Sequence, residues 1–437
     1  MSPSGRLFDD VMVQKYGGSS VATPEKVCAV AERIEAARER CEHVVIAVSA
    51  MGKTTDQLIA MAREVNPNPR GREMDLLLAS GEQIAVSMLG LALQARGVPA
   101  VSLTAAQCGI HTDGSFNKAR VRSVETQRLV QELSAGRVVI VAGFQGVTVN
   151  DDVTTLGRGG GDITGAVLAA ALQANVYENC TDVDGVYTAD PRVVPDARRI
   201  PELSYEECIE LAASGAKVLH PRAAEICMQY NVPIHVRHSF SGKPGTWIRE
   251  GAQEMERPSV VGVTTDRKVA KVTLLDVRDQ PGIAAQVFRD LADAEINVRL
   301  IIQAAPAHDR NRITFIIDSE DIAALKALVP KWKKAKTAGR VEIDTDVAKI
   351  AIVGSRIAST PGLAARMFTA LADRHINIDC ISTSEMKVSC IIAEKHLDEA
   401  TRAVHGEFFG PLPVAAPATR KRAAAARSGP RRRTRRV

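Results

Sequence analysis

The chain has 437 residues, 45% hydrophobic and 24% charged, which is too long for one core and ordinary for a globular chain of several domains. Its net charge of +5 misleads, because residues 420–436 carry nine cations and no acid, and without them the body is about −4. A basic nucleic-acid-binding body is therefore not supported, and nucleic acid is not an expected partner.

In chain order, residues 11–14 read as a strand, followed by Lys15-Tyr16-Gly17-Gly18-Ser19-Ser20 and a helix opened by Pro24 and Glu25. A strand end, a lysine and two glycines before a helix suit a phosphate: the backbone cradles it and the ammonium neutralises it. The strand at 43–49 ends in Ser49-Ala50-Met51-Gly52-Lys53-Thr54-Thr55-Asp56, a degenerate P-loop pattern with alanine in place of its first glycine. A true P-loop opens directly into a helix and is followed by a strand-end aspartate for magnesium. The loop is read instead as a wall of the substrate pocket, through Ser49 and Thr55. The helix expected over 74–95 holds Gly81-Glu82 inside its apolar pattern, so Glu82 lies either on a solvated stripe or buried with a partner.

Strands follow at 98–103 and 138–144, and then the stretch 154–192 on which the chain is organised. It opens with Gly157, Arg158, Gly159, Gly160, Gly161 and Asp162, runs into an alanine-rich helix, and continues through a strand at 175–179 into the polar turn 181–185. Glycines at a helix N-terminus bring bare N–H groups close to an anion. A helix over 205–214, the segment Gly215–Pro221 and a strand over 234–238 complete an alternation of strands and helices, which predicts a mostly parallel sheet covered on both faces. Residues 241–257, rich in glycine, proline and charge, read as hairpin and linker.

Beyond the linker the pattern repeats at a spacing of 80 residues: Asp279-Gln280-Pro281-Gly282 with Ile296-Asn297-Val298 is echoed by Ser359-Thr360-Pro361-Gly362 with Ile376-Asn377-Ile378. Each copy reads strand, Pro-Gly turn, helix, strand, which predicts two small α+β units with antiparallel sheets. The tail from residue 411 has no pattern that could bury a core and is expected to be disordered. The longest uninterrupted apolar runs are strand-sized, so no membrane partner is expected, and the first ten residues lack the apolar centre of a signal peptide, which points to the cytoplasm. Eight cysteines without CxxC or metal-ligand spacing are expected to be reduced and mostly in cores, and no protein-held metal site is expected.

The ordered set KYGGSS, VSAMGKTTD, GEQIA, VAGFQG, TTLGRGGGD, TDVDGVYTADPR and GAKVLHP, followed by the paired repeats, resembles the aspartate kinases over about residues 11–410. The resemblance implies an α/β amino-acid-kinase fold, a mostly parallel sheet sandwiched by helices, plus two small ferredoxin-like ACT domains. The implied division is a catalytic domain at 1–248, a linker at 249–262, ACT domains at 263–343 and 344–411, and a basic tail at 412–437. It implies transfer of the γ-phosphoryl group of ATP, with Mg on the nucleotide, to the side chain of L-aspartate. Lys15 and Asp162 match the catalytic pair. Lys15, Gly17, Gly18, Ser19, Thr181, Asp182, Tyr187, Arg192 and Lys217 match nucleotide-binding positions. Ser49, Thr55, Glu82, Arg158, Gly159, Gly160 and Gly161 match the substrate pocket, with Arg158 on the α-carboxylate and Glu82 on the amino group. Asn297, Gln303, Asn377 and Ile378 match effector positions, for lysine and/or threonine, and a homo-oligomer through the ACT domains is implied. Three residues depart from the pattern: Gly161 stands for a usual serine, Cys180 touches nucleotide packing, and Arg299 would repel an effector's ammonium. A kinase for another acidic amino acid and a non-catalytic amino-acid-sensing regulatory subunit stay open as alternatives.

Overall fold

The computed structural model describes residues 7–216, 218–251, 259–303, 310–335 and 337–410. Lys217, the basic tail and part of the expected linker lie outside the described residues. The N-terminal elements are β1 (Val11–Tyr16), α1 (Pro24–Arg38), β2 (His43–Val48), α2 (Thr54–Val65), α3 (Arg72–Ala95), β3 (Ala100–Leu103), β4 (Ile110–Thr112), β5 (Val121–Val124), α4 (Gln127–Ser134), β6 (Val138–Ala142), β7 (Gln145–Val147), β8 (Val153–Thr155), α5 (Gly160–Ala171), β9 (Val176–Thr181), β10 (Glu202–Leu203), α6 (Tyr205–Ser214), α7 (Pro221–Gln229), β11 (Ile234–His238) and β12 (Thr246–Ile248).

The main sheet runs β10-β12-β11-β9-β1-β2-β6-β3. Strands β11, β9, β1, β2, β6 and β3 are all parallel, while β12 turns back against β11 and β10 runs parallel to β12 at the edge. These strands read as continuous Val, Ile and Ala because both faces are buried. Met12, Ile46 and Ile140 pack under α1 and α3, and Val13, Ala47 and Val141 pack under α5 and α7. Because the strands are parallel, their C-terminal ends open on one side, where such sheets hold ligands.

The sheet differs from expectation at β6. The strand expected to reach residue 144 ends at Ala142. A Cβ on Gly143 would stand 2.9 Å from the Val48 carbonyl oxygen, and Phe144 takes a left-handed φ of 65° that turns the chain into β7. There it joins a small sheet, β5-β4-β7-β8, that the sequence pattern did not announce. Helix α3 also corrects an expectation, since by length and mean hydropathy of 1.6 alone it could cross a membrane. Ser80, Gly81, Glu82 and Gln83 interrupt its apolar residues and hide that length from a search for continuous runs. Its Leu78, Ala85, Leu89 and Leu93 are buried, together with Asp75 and Glu82, so it serves as a core helix.

The C-terminal elements are β13 (Gly262–Asp266), β14 (Val269–Arg278), α8 (Ile283–Asp293), β15 (Val298–Gln303), β16 (Arg310–Asp318), α9 (Ile322–Lys334), β17 (Arg340–Asp344), β18 (Val347–Val353), α10 (Leu363–Ala372), β19 (Cys380–Thr383), β20 (Lys387–Ala393) and α11 (Leu397–Phe409). They form two antiparallel sheets, β15-β16-β14-β17 and β13-β18-β20-β19. The repeated Pro-Gly turns start α8 and α10, with Gly282 and Gly362 at φ 95° and 89°, a conformation that favours glycine. The division at 263 and 344 does not follow the sheets. β13 pairs antiparallel with β18, Val263 opposite Ile352, so the segment expected to open the first unit completes the second. All seven residues of β18 are buried, and without β13 its backbone groups on that side would lack partners. This second unit also packs on the N-terminal half: Ala189 and Val194 share a core with Val263, Leu397 and Val404.

Candidate active site

Alternation along β1 puts Val11, Val13 and Lys15 on the face covered by α5. The Lys15 ammonium meets the Asp162 carboxylate at 2.6 Å, with the two side chains 12% and 13% exposed. Asp162 lies in the first turn of α5, where helix N–H groups favour an anion. Its second oxygen accepts the His220 backbone N–H at 3.0 Å, so its orientation is set from two sides. The glycines around it are required by close approach: Gly159 has φ 78° and a Cβ there would stand 2.4 Å from the His220 ring, while one on Gly161 would stand 2.4 Å from Ser49 Oγ. Gly161 therefore leaves the room that the Ser49 hydroxyl occupies, which gives a physical account of one departure from the family pattern.

Ser49 and Ala50 follow β2 and run between the two layers of helices. On the other side stands Glu82, 2% exposed, with Oε1 accepting the Ala50 N–H at 2.9 Å and Oε2 buried without a partner. Burial pushes its carboxyl up to about 7. Of the two positions open for Glu82, the structure selects the buried one, and the unpaired oxygen is a place for a cationic donor. Thr55 is half-buried in the first turn of α2. Helix α2 does follow the 49–53 loop directly, as after a P-loop, but Lys53 is exposed and the loop packs on Gly18, with Gly52 N donating to Gly18 O at 3.0 Å.

Gly17 and Gly18 start a short 3-10 turn beyond β1, with Ser19 exposed. A Cβ on Gly18 would stand 2.5 Å from the Ala50 carbonyl oxygen. The turn is held to the neighbouring strand ends through Ser20 Oγ, 2.6 Å from Ser239 Oγ, which itself donates to Thr181 O at 3.1 Å. Thr181 donates to Asp182, Tyr187 bridges to Arg199, and exposed Arg192 pairs with Asp190 at 2.7 Å. Cys180 corrects an expectation: its side chain is wholly buried in the core beside Tyr16, on the α1 face of the sheet. Arg158 stands on the loop between left-handed Gly157 and Gly159, 82% exposed and 3.9 Å from Glu320.

In the C-terminal sheets Asn297, Gln303 and Asn377 are exposed on or beside the edge strands β15 and β19, and Ile378 packs partly on the second unit's core. Arg299 is not a free cation. It pairs with Asp318 at 2.7 Å and Asp266 at 3.5 Å, which removes the ground for expecting it to repel an ammonium. All eight cysteines are free, and Cys28 alone among them is exposed. Among the described residues no group of three or more His, Cys, Asp or Glu could hold a metal ion. Two contributors went unread in the sequence. His220 was quoted within GAKVLHP without a role, yet its backbone binds Asp162 and its ring covers Gly159. Arg222, two residues on, donates to the Leu156 carbonyl at 3.3 Å and pins the start of the glycine loop.

A parallel sheet with glycine-rich loops at its strand ends, a half-buried lysine–aspartate pair and two small C-terminal sheets define an amino acid kinase joined to an ACT pair. The amino acid kinase family profile matches residues 10–238, and ACT domain profiles match residues 271–337 and 350–408. The aspartokinase of Thermus thermophilus is 46% identical over 402 residues, covering 91% of this chain and 98% of its own. That of Corynebacterium glutamicum is 44% identical over 403 residues, covering 91% and 96%. The chain belongs to the aspartokinase family, the ATP-dependent aspartate kinases. Among solved structures, aspartate kinase from Synechocystis superposes with a TM-score of 0.51 at 42% identity, covering 91% of this chain and 69% of that one. E. coli aspartokinase III, in complex with aspartate and ADP, superposes with a TM-score of 0.80 at 24% identity, covering 92% and 100%, a likeness of fold.

Proposed function

We propose that this enzyme transfers the γ-phosphoryl group of ATP to the side-chain carboxylate of L-aspartate, giving 4-phospho-L-aspartate and ADP. The observation that carries the reading is the half-buried Lys15–Asp162 pair beside Ser49, with the unpaired Glu82 oxygen across the same loop. Glu82 takes the substrate's ammonium, and Arg158, held out from its glycine loop, takes the α-carboxylate. Ser49, Thr55 and the backbone of Gly159, Gly160 and Gly161 line the space between. That grip leaves the side-chain carboxylate as the free end.

With an ordinary pKa of about 3.9 that carboxylate is already ionised at neutral pH, so the attack needs no general base. One carboxylate oxygen forms a bond to the γ-phosphorus while the bond from that phosphorus to the β–γ bridging oxygen breaks, and ADP leaves with the electron pair. An anion attacks a polyanion, so the site's contribution is alignment and cancellation of charge. Lys15 neutralises the transferring group and Asp162 holds Lys15 in line. Gly17, Gly18 and Ser19 face the phosphates, and Thr181, Asp182, Tyr187, Arg192 and Lys217 serve the nucleotide. Mg2+ would arrive on the nucleotide phosphates and supply further charge neutralisation there.

The exposed edge strands β15 and β19 support a regulatory reading, in which Asn297, Gln303, Asn377 and Ile378 bind an amino-acid effector, lysine and/or threonine, and a second copy of the chain pairs with these edges. The test is ADP release coupled to a second enzyme, with L-aspartate or L-glutamate as acceptor and with lysine and threonine added separately and together. Aspartate-dependent ADP release, lost in Lys15→Ala, is the expected result. Equal or greater turnover of glutamate would favour another acidic substrate. No turnover of either would favour a sensing subunit.

A further inference from the structure

We infer that Asp75 is a positioning residue that sets the separation of Glu82 from Arg158, and so the affinity for the amino-acid substrate; this rests on the roles given to those two residues above. Asp75 lies in the first turn of α3 and is 0% exposed. A buried carboxylate is costly unless its lone pairs are filled. Here four neutral donors fill them. Oδ2 accepts the backbone N–H groups of Asn117 at 2.9 Å and Thr155 at 2.7 Å, and Oδ1 accepts the Thr155 hydroxyl at 2.9 Å and the Asn117 side-chain amide.

These donors belong to the two segments that flank the substrate loop. Thr155 ends β8, three residues before Arg158. Asn117 sits at a left-handed turn with φ 67°, and its side-chain oxygen accepts the Gly71 N–H at 3.2 Å, at the start of α3. The two segments are also joined to each other, Ala119 N donating to Thr155 O at 2.9 Å. On the same helix Glu82 follows seven residues later, two turns along, and both side chains are buried. One carboxylate thus ties the helix that presents Glu82 to the strand end that launches Arg158. Gly157 and Gly159, at φ 80° and 78°, make that loop dependent on anchors at its two ends. On the far side the anchor is Asp162 with His220, and on the near side it is Asp75.

If Asp75 acts this way, loosening it displaces the grip on the amino acid and leaves the phosphate loop at Lys15, Gly17 and Gly18 in place. The experiment is steady-state kinetics of the full chain for Thr155→Val, Thr155→Ser, Asp75→Asn and Arg158→Ala, with separate KM values for aspartate and ATP and an unfolding midpoint for each. Thr155→Val removes one donor at constant shape and is expected to raise the aspartate KM about tenfold, the lower end of what one hydrogen bond to a charged group is worth. ATP KM and kcat should stay within about twofold, since their groups are untouched. Thr155→Ser restores the donor and should restore the aspartate KM. Asp75→Asn turns an N–H2 group toward two donors and is expected to raise the aspartate KM at least about tenfold; where it does not fold, the Thr155 pair decides. A loss of stability with unchanged aspartate KM, or an equal rise in both KM values, overturns the inference. An Arg158→Ala variant with normal aspartate KM overturns the site assignment and this inference with it, whereas a raised KM there beside unmoved Asp75 and Thr155 variants sinks the inference alone.

Discussion

Replacing Glu82 by glutamine keeps an oxygen for the Ala50 N–H and removes the charge offered to the substrate's ammonium. Burial pushes this carboxyl up to about 7, so in the empty site it is about nine-tenths ionised at pH 8 and about one-tenth ionised at pH 6. Only the ionised form binds the ammonium, so the wild-type KM for aspartate should rise about tenfold between pH 8 and pH 6 while the KM for ATP stays nearly level. Loss of one partner from a buried charge pair costs roughly 2 kcal/mol or more, so Glu82→Gln should raise the aspartate KM at pH 8 by about 30-fold at least and abolish its pH dependence. Stability should move the other way. The folded value lies above the ordinary 4.5, so between the two the folded chain holds more protons than the unfolded, and stability falls as pH rises through that window, by about 3 kcal/mol in all. Glu82→Gln lacks this loss, so its unfolding midpoint should exceed the wild type's at pH 8 and lose that excess toward pH 4.5. Initial-rate kinetics at three pH values with paired thermal melts make the assay. A wild-type aspartate KM that is flat from pH 6 to 8, or a glutamine variant that keeps the slope, would exclude Glu82 as the partner of the substrate's ammonium.

Lys15→Ala should lower turnover by at least about a thousandfold, because it removes the cation beside the transferring group, whereas exposed Lys53→Ala should stay within about twofold of wild type. The opposite ranking in a coupled rate assay would restore the P-loop reading. Gly159→Ala combines a left-handed φ of 78° with a Cβ 2.4 Å from the His220 ring, so kcat/KM should fall at least about tenfold and the melting midpoint should drop. Glu320→Gln should change the aspartate KM by less than about twofold, since its contact with Arg158 is 3.9 Å long and lies between exposed groups. A larger effect would mean that the first ACT unit competes with substrate for Arg158.

Much of the architecture was legible because it is local. The parallel sheet announces itself in runs such as His43–Val48, apolar at nearly every position because helices cover both faces, and the 80-residue repeat is marked by Pro-Gly turns whose glycines adopt φ near 90°. Lys15, Gly17, Gly18, Gly157 and Asp162 stand out for a related reason, since they fall within an ordered set of motifs, each local, although a glycine-rich turn by itself is as often only a turn. What a residue meets across the fold was not legible. Nothing near Glu82 in the chain tells that the Ala50 N–H takes one carboxylate oxygen and leaves the other unpaired, and nothing near Arg299 announces Asp318 and Asp266.

The chain alone determined most strands and helices of the large sheet, the paired repeats and the glycine-rich loops, because propensity, periodicity and glycine punctuation act over a few residues. Only the tertiary structure decided that β13 completes the second C-terminal sheet, that Cys180 faces the core beside Tyr16, and that Asp75 ties the Glu82 helix to the Arg158 loop. Those outcomes turn on hydrogen-bond partners and burial supplied by segments 40 to more than 160 residues away, as between Asp75 and Asn117 or β1 and β9. No window of sequence encloses both ends of such a contact.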